Sequence, residues 1–212
     1  MSSFIGHSLA GLMIYTAGTQ HWSNQAPRQV SPLGNLLWLV GLVAIASFPD
    51  IDYLVPALRP SVDGQTFRMT HSLMGALLLP IGTLLLLRLW RSNPEHSTRS
   101  SAGKAIQLIL AGLSHLGLDL LTGVSALPLL FPLNNALFRL PFGVLPSAGR
   151  IRLDNYFLYH NLLIELGVLI PITVGFTIWL RNRRPQPVVL AVTVVSLLVS
   201  ACFMVWAATL DR

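Results

Sequence analysis

Long apolar runs separated by short polar or basic stretches set the pattern of this chain. Four runs approach the roughly 20 residues that a bilayer-crossing helix needs: 33–48, which is slightly short, 71–90, 105–121 and 161–180. A fifth run, 188–210, follows them. The stretch 4–18 is apolar but short, so it is read either as a tilted span or as a helix buried among the others. The pattern therefore predicts an all-α fold, a polytopic membrane bundle of about six helices, with 1–212 forming a single membrane-embedded domain. Two segments break the pattern. Residues 49–70 form a loop with Pro56, Pro60 and Gly64. Residues 127–144 hold Pro128, Pro132, Pro141 and the pair Asn134–Asn135 among hydrophobic residues. The second composition fits a re-entrant or interface-lying segment better than a long span.

Composition narrows the class. Only 10% of the 212 residues are charged and 53% are hydrophobic, with a mean hydropathy of +0.63, whereas a soluble domain carries charge at roughly a quarter of its positions. Soluble enzyme, disordered tail and disulfide scaffold are excluded. The lone cysteine, Cys202, lies in the last apolar run and has no intrachain partner. No Lys or Arg precedes the first apolar stretch, which argues against a cleaved signal peptide. The net charge of +6, from 14 Lys+Arg against 8 Asp+Glu, invites a nucleic-acid partner. The basic residues, however, sit in short loops between apolar runs, as orientation signals do.

With alternating helices, one side holds Arg28, Arg88, Arg91, Arg99, Lys104, Arg181, Arg183 and Arg184. The other holds Arg59, Arg68, Arg139, Arg150, Arg152 and Arg212. The first set is packed at helix ends, which places the 88–104 and 181–187 loops in the cytoplasm and both termini outside it.

Eight acids are few, and their placement is informative. Asp50 and Asp52 fall at the outer end of the second helix, Asp119 in the outer half of the fourth, and Glu165 near the start of the fifth. His7, His71, His115 and His160 fall on the same side, so four of six histidines and four of eight acids converge on one membrane face. His21 and His96 lie in the loops assigned to the cytoplasm. Asp63 and Asp154 read as solvated loop acids. His115 and Asp119, at i and i+4, share one helix face within an otherwise apolar stretch. Ionised Asp there needs a partner, so the pair reads either as ligands to one ion or as a hydrogen bond holding helices together.

Pro49-Asp50-Ile51-Asp52 reads as a helix stop followed by an extended Asp-x-Asp, which puts two carboxylates on one side; the bland reading is solvated acids at a turn. His7 reads either as a ligand or as a helix contact. His71, following Thr70 as a helix cap, reads either as a ligand or as a first-turn histidine. Together His7, Asp50, Asp52, His71, His115 and Asp119 are more ligands than one tetrahedral ion needs and suit a site for one or two divalent ions, zinc best, with manganese or iron as alternatives. His160 and Glu165, five residues apart, diverge on their helix. Each is a candidate acid–base group or additional ligand, and the bland reading pairs Glu165 with an arginine. Asp52 joins them as a candidate catalytic group. Arg68 is a candidate for binding an anionic substrate, or a side chain that snorkels to headgroups.

His7 in Gly-His-Ser-Leu-Ala-Gly, Pro49-Asp50-Ile51-Asp52, Arg68-Met69-Thr70-His71-Ser72-Leu73 and His115-Leu116-Gly117-Leu118-Asp119-Leu120-Leu121-Thr122 resemble the YdjM-like family of predicted bacterial inner-membrane metal-dependent hydrolases over about residues 4–165. More distantly, the order His, Asp, His, His-x-x-x-Asp is similar to the zinc-ligand order of bacterial phospholipase C and single-strand-specific zinc nucleases. What the resemblance implies is a multi-pass inner-membrane hydrolase of a lipid or lipid-linked phosphoester, with Asp119 as a bridging ligand and membrane lipid as partner. Two features depart from those secreted enzymes: Met1 stands where they place a zinc-binding residue, and 123–130 contain no histidine. A metal carrier or sensor is the alternative for the same ligands; a bundle factor whose buried His and Asp only pin helices is the third.

Overall fold

The computed structural model describes residues 2–22, 31–62, 65–89, 98–147, 154–182 and 186–210. Asp63, His96, Arg28, Arg91, Arg150, Arg152, Arg183, Arg184 and Arg212 lie outside the described residues, as do most of the loops on which the orientation rests. Six α-helices follow in order: α1 Phe4–Trp22, α2 Pro32–Ser47, α3 Leu73–Leu89, α4 Thr98–Leu121, α5 Tyr156–Arg181 and α6 Pro187–Ala208. The expected all-helical membrane architecture is what is found. Four helical stretches, Pro32–Tyr53, Ala102–Leu121, Tyr156–Arg181 and Pro187–Ala208, are long and apolar enough to cross a membrane. The apolar helix Leu73–Leu89 is shorter, and α1 is not among the candidate spans. Two helices start earlier than their apolar runs, because α4 and α5 begin with polar or aromatic turns that a hydropathy window leaves out.

Local chemistry accounts for the helix boundaries. Ser31 accepts from Gly34 N and Pro32 fills the first position of α2. Asn155 accepts from Phe157 N at the start of α5. Ser72, rather than Thr70, caps α3, its hydroxyl accepting from Gly75 N at 3.0 Å. Thr70 instead faces the His71 ring.

The described residues form two compact units, and both α1 and α4 contribute to each. One unit comprises residues 10–116 and 127–138. Its core is Leu42, Ile45, Ala46, Leu108 and Ala111, drawn from α2 and α4. Gly112 permits the close approach of α3, since a Cβ there would strike the Ala76 carbonyl and the Pro80 ring. Gln107 supports the same unit, donating to Ile14 O and accepting from Trp38 Nε1, both at 3.0 Å. The other unit comprises residues 1–9, 117–126 and 139–212. Here α5 and α6 pair through small residues, Gly167 under Phe203 and Gly175 under Ser196, and the Ser200 hydroxyl donates to Val168 O at 2.8 Å.

The two segments outside the helices differ from each other. Phe48–Tyr53 continues α2 as a tighter 3₁₀ helix, which corrects the expectation of an extended Asp-x-Asp. Proline fits the first turn of a helix, where its missing N–H would have no partner anyway. The segment 127–138 is irregular, closed by a two-way 2.8 Å pairing of Leu127 with Phe138 and tied to α3 by Leu73 N to Leu129 O at 2.9 Å. Leu133 within it is 92% exposed.

The close packing at Gly112 has a measurable consequence. Gly112→Ala is expected to destabilise the protein by about 1–3 kcal/mol through overpacking. Gly82→Ala, where an added Cβ meets nothing within 4 Å, is expected to be neutral or slightly stabilising by helix propensity, about 0.5–1 kcal/mol. Thermal unfolding in detergent compares the two.

Candidate metal centre

The proline-initiated 3₁₀ turn after α2 projects Asp50 and Asp52 from a single turn, and a second 3₁₀ turn, Met69–His71, faces it. His71 enters from that turn and His115 from the C-terminal part of α4. The His71 and His115 Nε2 atoms are 3.1 Å apart. Asp50 Oδ1 lies 3.5 Å from the first and 3.7 Å from the second. Each of the three residues thus offers one donor atom to a single point. His71 and His115 are wholly buried, and Asp50 keeps 21% of its side chain exposed, so the cluster opens on one side only.

The other edges of these imidazoles are occupied. His115 Nδ1 is 2.8 Å from the Ala46 carbonyl. A carbonyl only accepts, so Nδ1 carries the proton and, in the neutral ring, the Nε2 lone pair points at the cluster. His71 Nδ1 sits 3.1 Å from Thr70 Oγ1 and 3.7 Å from Asp52 Oδ2. Carbonyl or hydroxyl support behind an imidazole is the usual means by which a metal-ligating histidine is oriented.

Asp52 occupies a different position from its neighbour. Both its oxygens accept from Arg68, Nε to Oδ2 and Nη2 to Oδ1 at 2.5 Å each, and its side chain is wholly buried. Arg68 Nη2 also reaches Asp50 Oδ1 at 3.2 Å. Burial works against the Arg68 charge, but the hydrogen bonds and charge of Asp52, with those of its other neighbours, outweigh it. Its pKa is held above the ordinary arginine value. Of the two readings of Asp-x-Asp, solvated acids at a turn are thereby excluded. The two carboxylates divide the work, Asp52 bracing Arg68 and Asp50 facing the histidines.

In the other unit, His7 Nε2 lies 3.6 Å from Asp119 Oδ1, both side chains wholly buried. Ser2 N donates to Asp119 Oδ1 at 2.8 Å and the Ser2 hydroxyl donates to Glu165 Oε1. Ser3 N donates to both Glu165 oxygens, at 2.9 and 3.2 Å. Glu165 is fully buried, with serine hydroxyl and amide groups where the bland reading put an arginine. Gly6 is required here, because a Cβ would collide with Glu165 Oε1. His160 stands apart from Glu165, as their spacing predicts. It stacks on Tyr156 at 5.8 Å and meets Trp206 edge-on at 5.5 Å, beside an open cavity of about 360 Å³ lined also by Thr122, Ser147 and Asn161. Asp154 is exposed, as expected.

Sequence reasoning did not single out Ser2, Ser3 or the Ala46 carbonyl, and it read Thr70 as a helix cap rather than as a partner of the His71 ring. Backbone and hydroxyl groups carry no compositional signal in an apolar chain.

The Arg68–Asp52 pair yields a stability prediction. Asp52→Asn leaves a buried guanidinium without its carboxylate and is expected to cost about 3–5 kcal/mol. The double change Asp52→Leu with Arg68→Met is expected to recover much of that loss. Asp50→Asn, at the partly exposed position, is expected to cost less than Asp52→Asn. Thermal unfolding of the purified variants ranks all three.

No curated protein and no solved structure matches the chain. The family model described as YdjM inner membrane protein matches residues 1–209. With four helical stretches able to cross a bilayer, the chain is a multi-pass inner-membrane protein and belongs to the YdjM inner membrane protein family.

Proposed function

We propose that this protein is a membrane-embedded, metal-dependent hydrolase acting on a phosphoester at the external membrane face. The observation that carries the reading is the Asp50–His71–His115 triangle, with edges of 3.1, 3.5 and 3.7 Å. Ligand atoms around a tetrahedral zinc, with bonds of about 2.0–2.1 Å, stand about 3.3–3.4 Å apart. The donor atoms already have that spacing, and two come from imidazoles whose opposite edges are held. Two imidazoles and a carboxylate favour zinc, with manganese and iron as alternatives. Three protein ligands leave a position open, the arrangement of catalytic rather than structural zinc.

An ion held there supplies Lewis acidity and lowers the pKa of water that it binds. The chain's own groups set the stage. Ala46 O fixes the His115 tautomer, and Thr70 supports His71. Arg68, braced by Asp52, holds Asp50 in place. In the other unit, His7 and Asp119 form an imidazole–carboxylate pair of their own, and Glu165 is a buried carboxylate. His160, on its cavity wall, is a candidate acid–base group. The phosphoester substrate and the likeness to zinc-dependent phospholipase C rest on ligand order alone. The external face rests on the distribution of basic residues.

Elemental analysis of the purified protein tests the reading. Wild type is expected to hold one or two zinc-like ions, and His71→Ala or His115→Ala to lose at least one. Unchanged metal content in both variants overturns the proposal. Assays on a panel of phosphodiesters, with and without chelator, test the chemistry. His115→Ala is expected to lower turnover by about 10²-fold or more, as loss of an electrostatic stabiliser does. Ion uptake into proteoliposomes without any hydrolysis would favour a metal carrier instead.

A further inference from the structure

Among the described residues, Arg59 is a cation near this centre with no carboxylate in ion-pair contact. Its backbone is fixed on both sides: Arg59 N donates to Pro56 O at 2.9 Å, and Phe67 N donates to Pro60 O at 2.9 Å. The short antiparallel pairing of Ser61–Val62 with Gln65–Thr66 follows directly. The Arg59 guanidinium lies over the Tyr53 ring, 4.6 Å from its centroid, and Arg68 lies over the same ring at 4.9 Å. The two arginines then part ways. Arg68 is engaged by Asp52 and Asp50. Among the described residues no carboxylate lies within ion-pair distance of Arg59, and its buried Nε has no hydrogen-bond partner. Buried donors are normally satisfied, and an exception calls for an explanation.

We propose that Arg59 is the anion-binding residue of this centre and that its ligand is a phosphate-type oxyanion. The proposal rests on the metal-centre reading above and names the residue that would recognise the substrate. Charge points the same way. Asp52 and Asp50 are taken up by Arg68, so the charges of Arg59 and of a bound divalent ion exceed those of the two carboxylates, and an anionic ligand offsets the surplus. Chemistry points there too, because guanidinium N–H groups match the oxygens of a phosphate and the aromatic face holds the fork without consuming them. Tyr53 links the two arginines, and Arg68 touches Asp50, so the ligand's anionic group would be recognised beside the metal donors. Arg68, the residue the sequence singled out for anion binding, is engaged by Asp50 and Asp52. Leu54, 83% exposed on the same loop, puts Arg59 beside an apolar tip suited to the membrane interface. A phospholipid headgroup and free phosphate are both sources of this chemistry.

The test uses the full chain in a phosphate-free detergent, loaded with zinc. Binding of inorganic phosphate and of dihexanoyl phosphatidylglycerol is measured by calorimetry for wild type, Arg59→Gln, Arg59→Lys and the exposed control Arg139→Gln. Metal content is read on the same samples. Arg59→Gln is expected to weaken binding about 10-fold or more, the loss expected for a charge-assisted hydrogen bond. Arg59→Lys is expected to be intermediate and Arg139→Gln unchanged, with zinc content equal in all four. Preference for the lipid identifies a headgroup site, and preference for phosphate a free-anion site. Wild-type affinity in Arg59→Gln, or no binding of either probe by wild type, overturns the proposal. If Arg59→Gln does not fold, Arg59→Lys decides: weakened binding supports the proposal and wild-type affinity overturns it. Arg59-dependent binding in a protein that takes up no metal keeps the anion site and discards the metal reading.

Discussion

An arginine withdrawn from water in a chain this apolar has to be met by a carboxylate, and the contact of Arg68 with Asp52 is the constraint around which the centre is arranged. The cost of stripping two charges of water is recovered only with close, multiply hydrogen-bonded geometry, and here both carboxylate oxygens are used. That bond draws the 3₁₀ turn after α2 against the turn before α3. Once the two turns meet, Asp50 has little choice of direction: it touches Arg68 and faces His71 and His115. The candidate donors Asp50, His71 and His115 are thus placed with the help of a pair, Arg68 and Asp52, that need not touch an ion.

A second economy is visible in how the imidazoles are held. Asp52, the acid nearest the rear of His71 at 3.7 Å, is shared with Arg68. Backbone and hydroxyl oxygens, from Ala46 and Thr70, face the rear nitrogens. In a membrane protein each additional buried carboxylate is expensive, whereas the carbonyl at the end of a helix is already there and accepts at no charge cost. The buried Glu165 follows the same rule. It is served by Ser2 and Ser3, whose neutral donors satisfy it without importing a second charge.

Much of the membrane architecture was legible because the bilayer imposes it. A lipid-facing helix has to be apolar along its length and long enough to cross, so runs of that kind mark helices. The five longer runs and the short first one all became helices, and the proline-rich stretch 127–144 stayed irregular. What hydropathy misjudged were helix starts, the polar first turns of α4 and the aromatic ones of α5. The extended reading of Asp-x-Asp failed for a related reason. Proline was taken as a stop, but it is equally at home in the first turn of a new, tighter helix. Candidate ligands were legible in kind, because ionisable groups in apolar runs are rare. Their partners were not.

The sequence by itself determined the class of protein, the order of its helices and which rare imidazoles and carboxylates had to be buried, since solvation cost and the 3.6-residue period act locally along the chain. Only the tertiary structure decided who meets whom: Asp52 with Arg68 across 16 residues, His71 with His115 across 44, and Ser2 with Glu165 across 163. Charge complementarity in the sequence allowed several pairings of these groups. Hydrogen bonding and short-range packing selected among them, and both depend on distances in space that spacing along the chain does not contain.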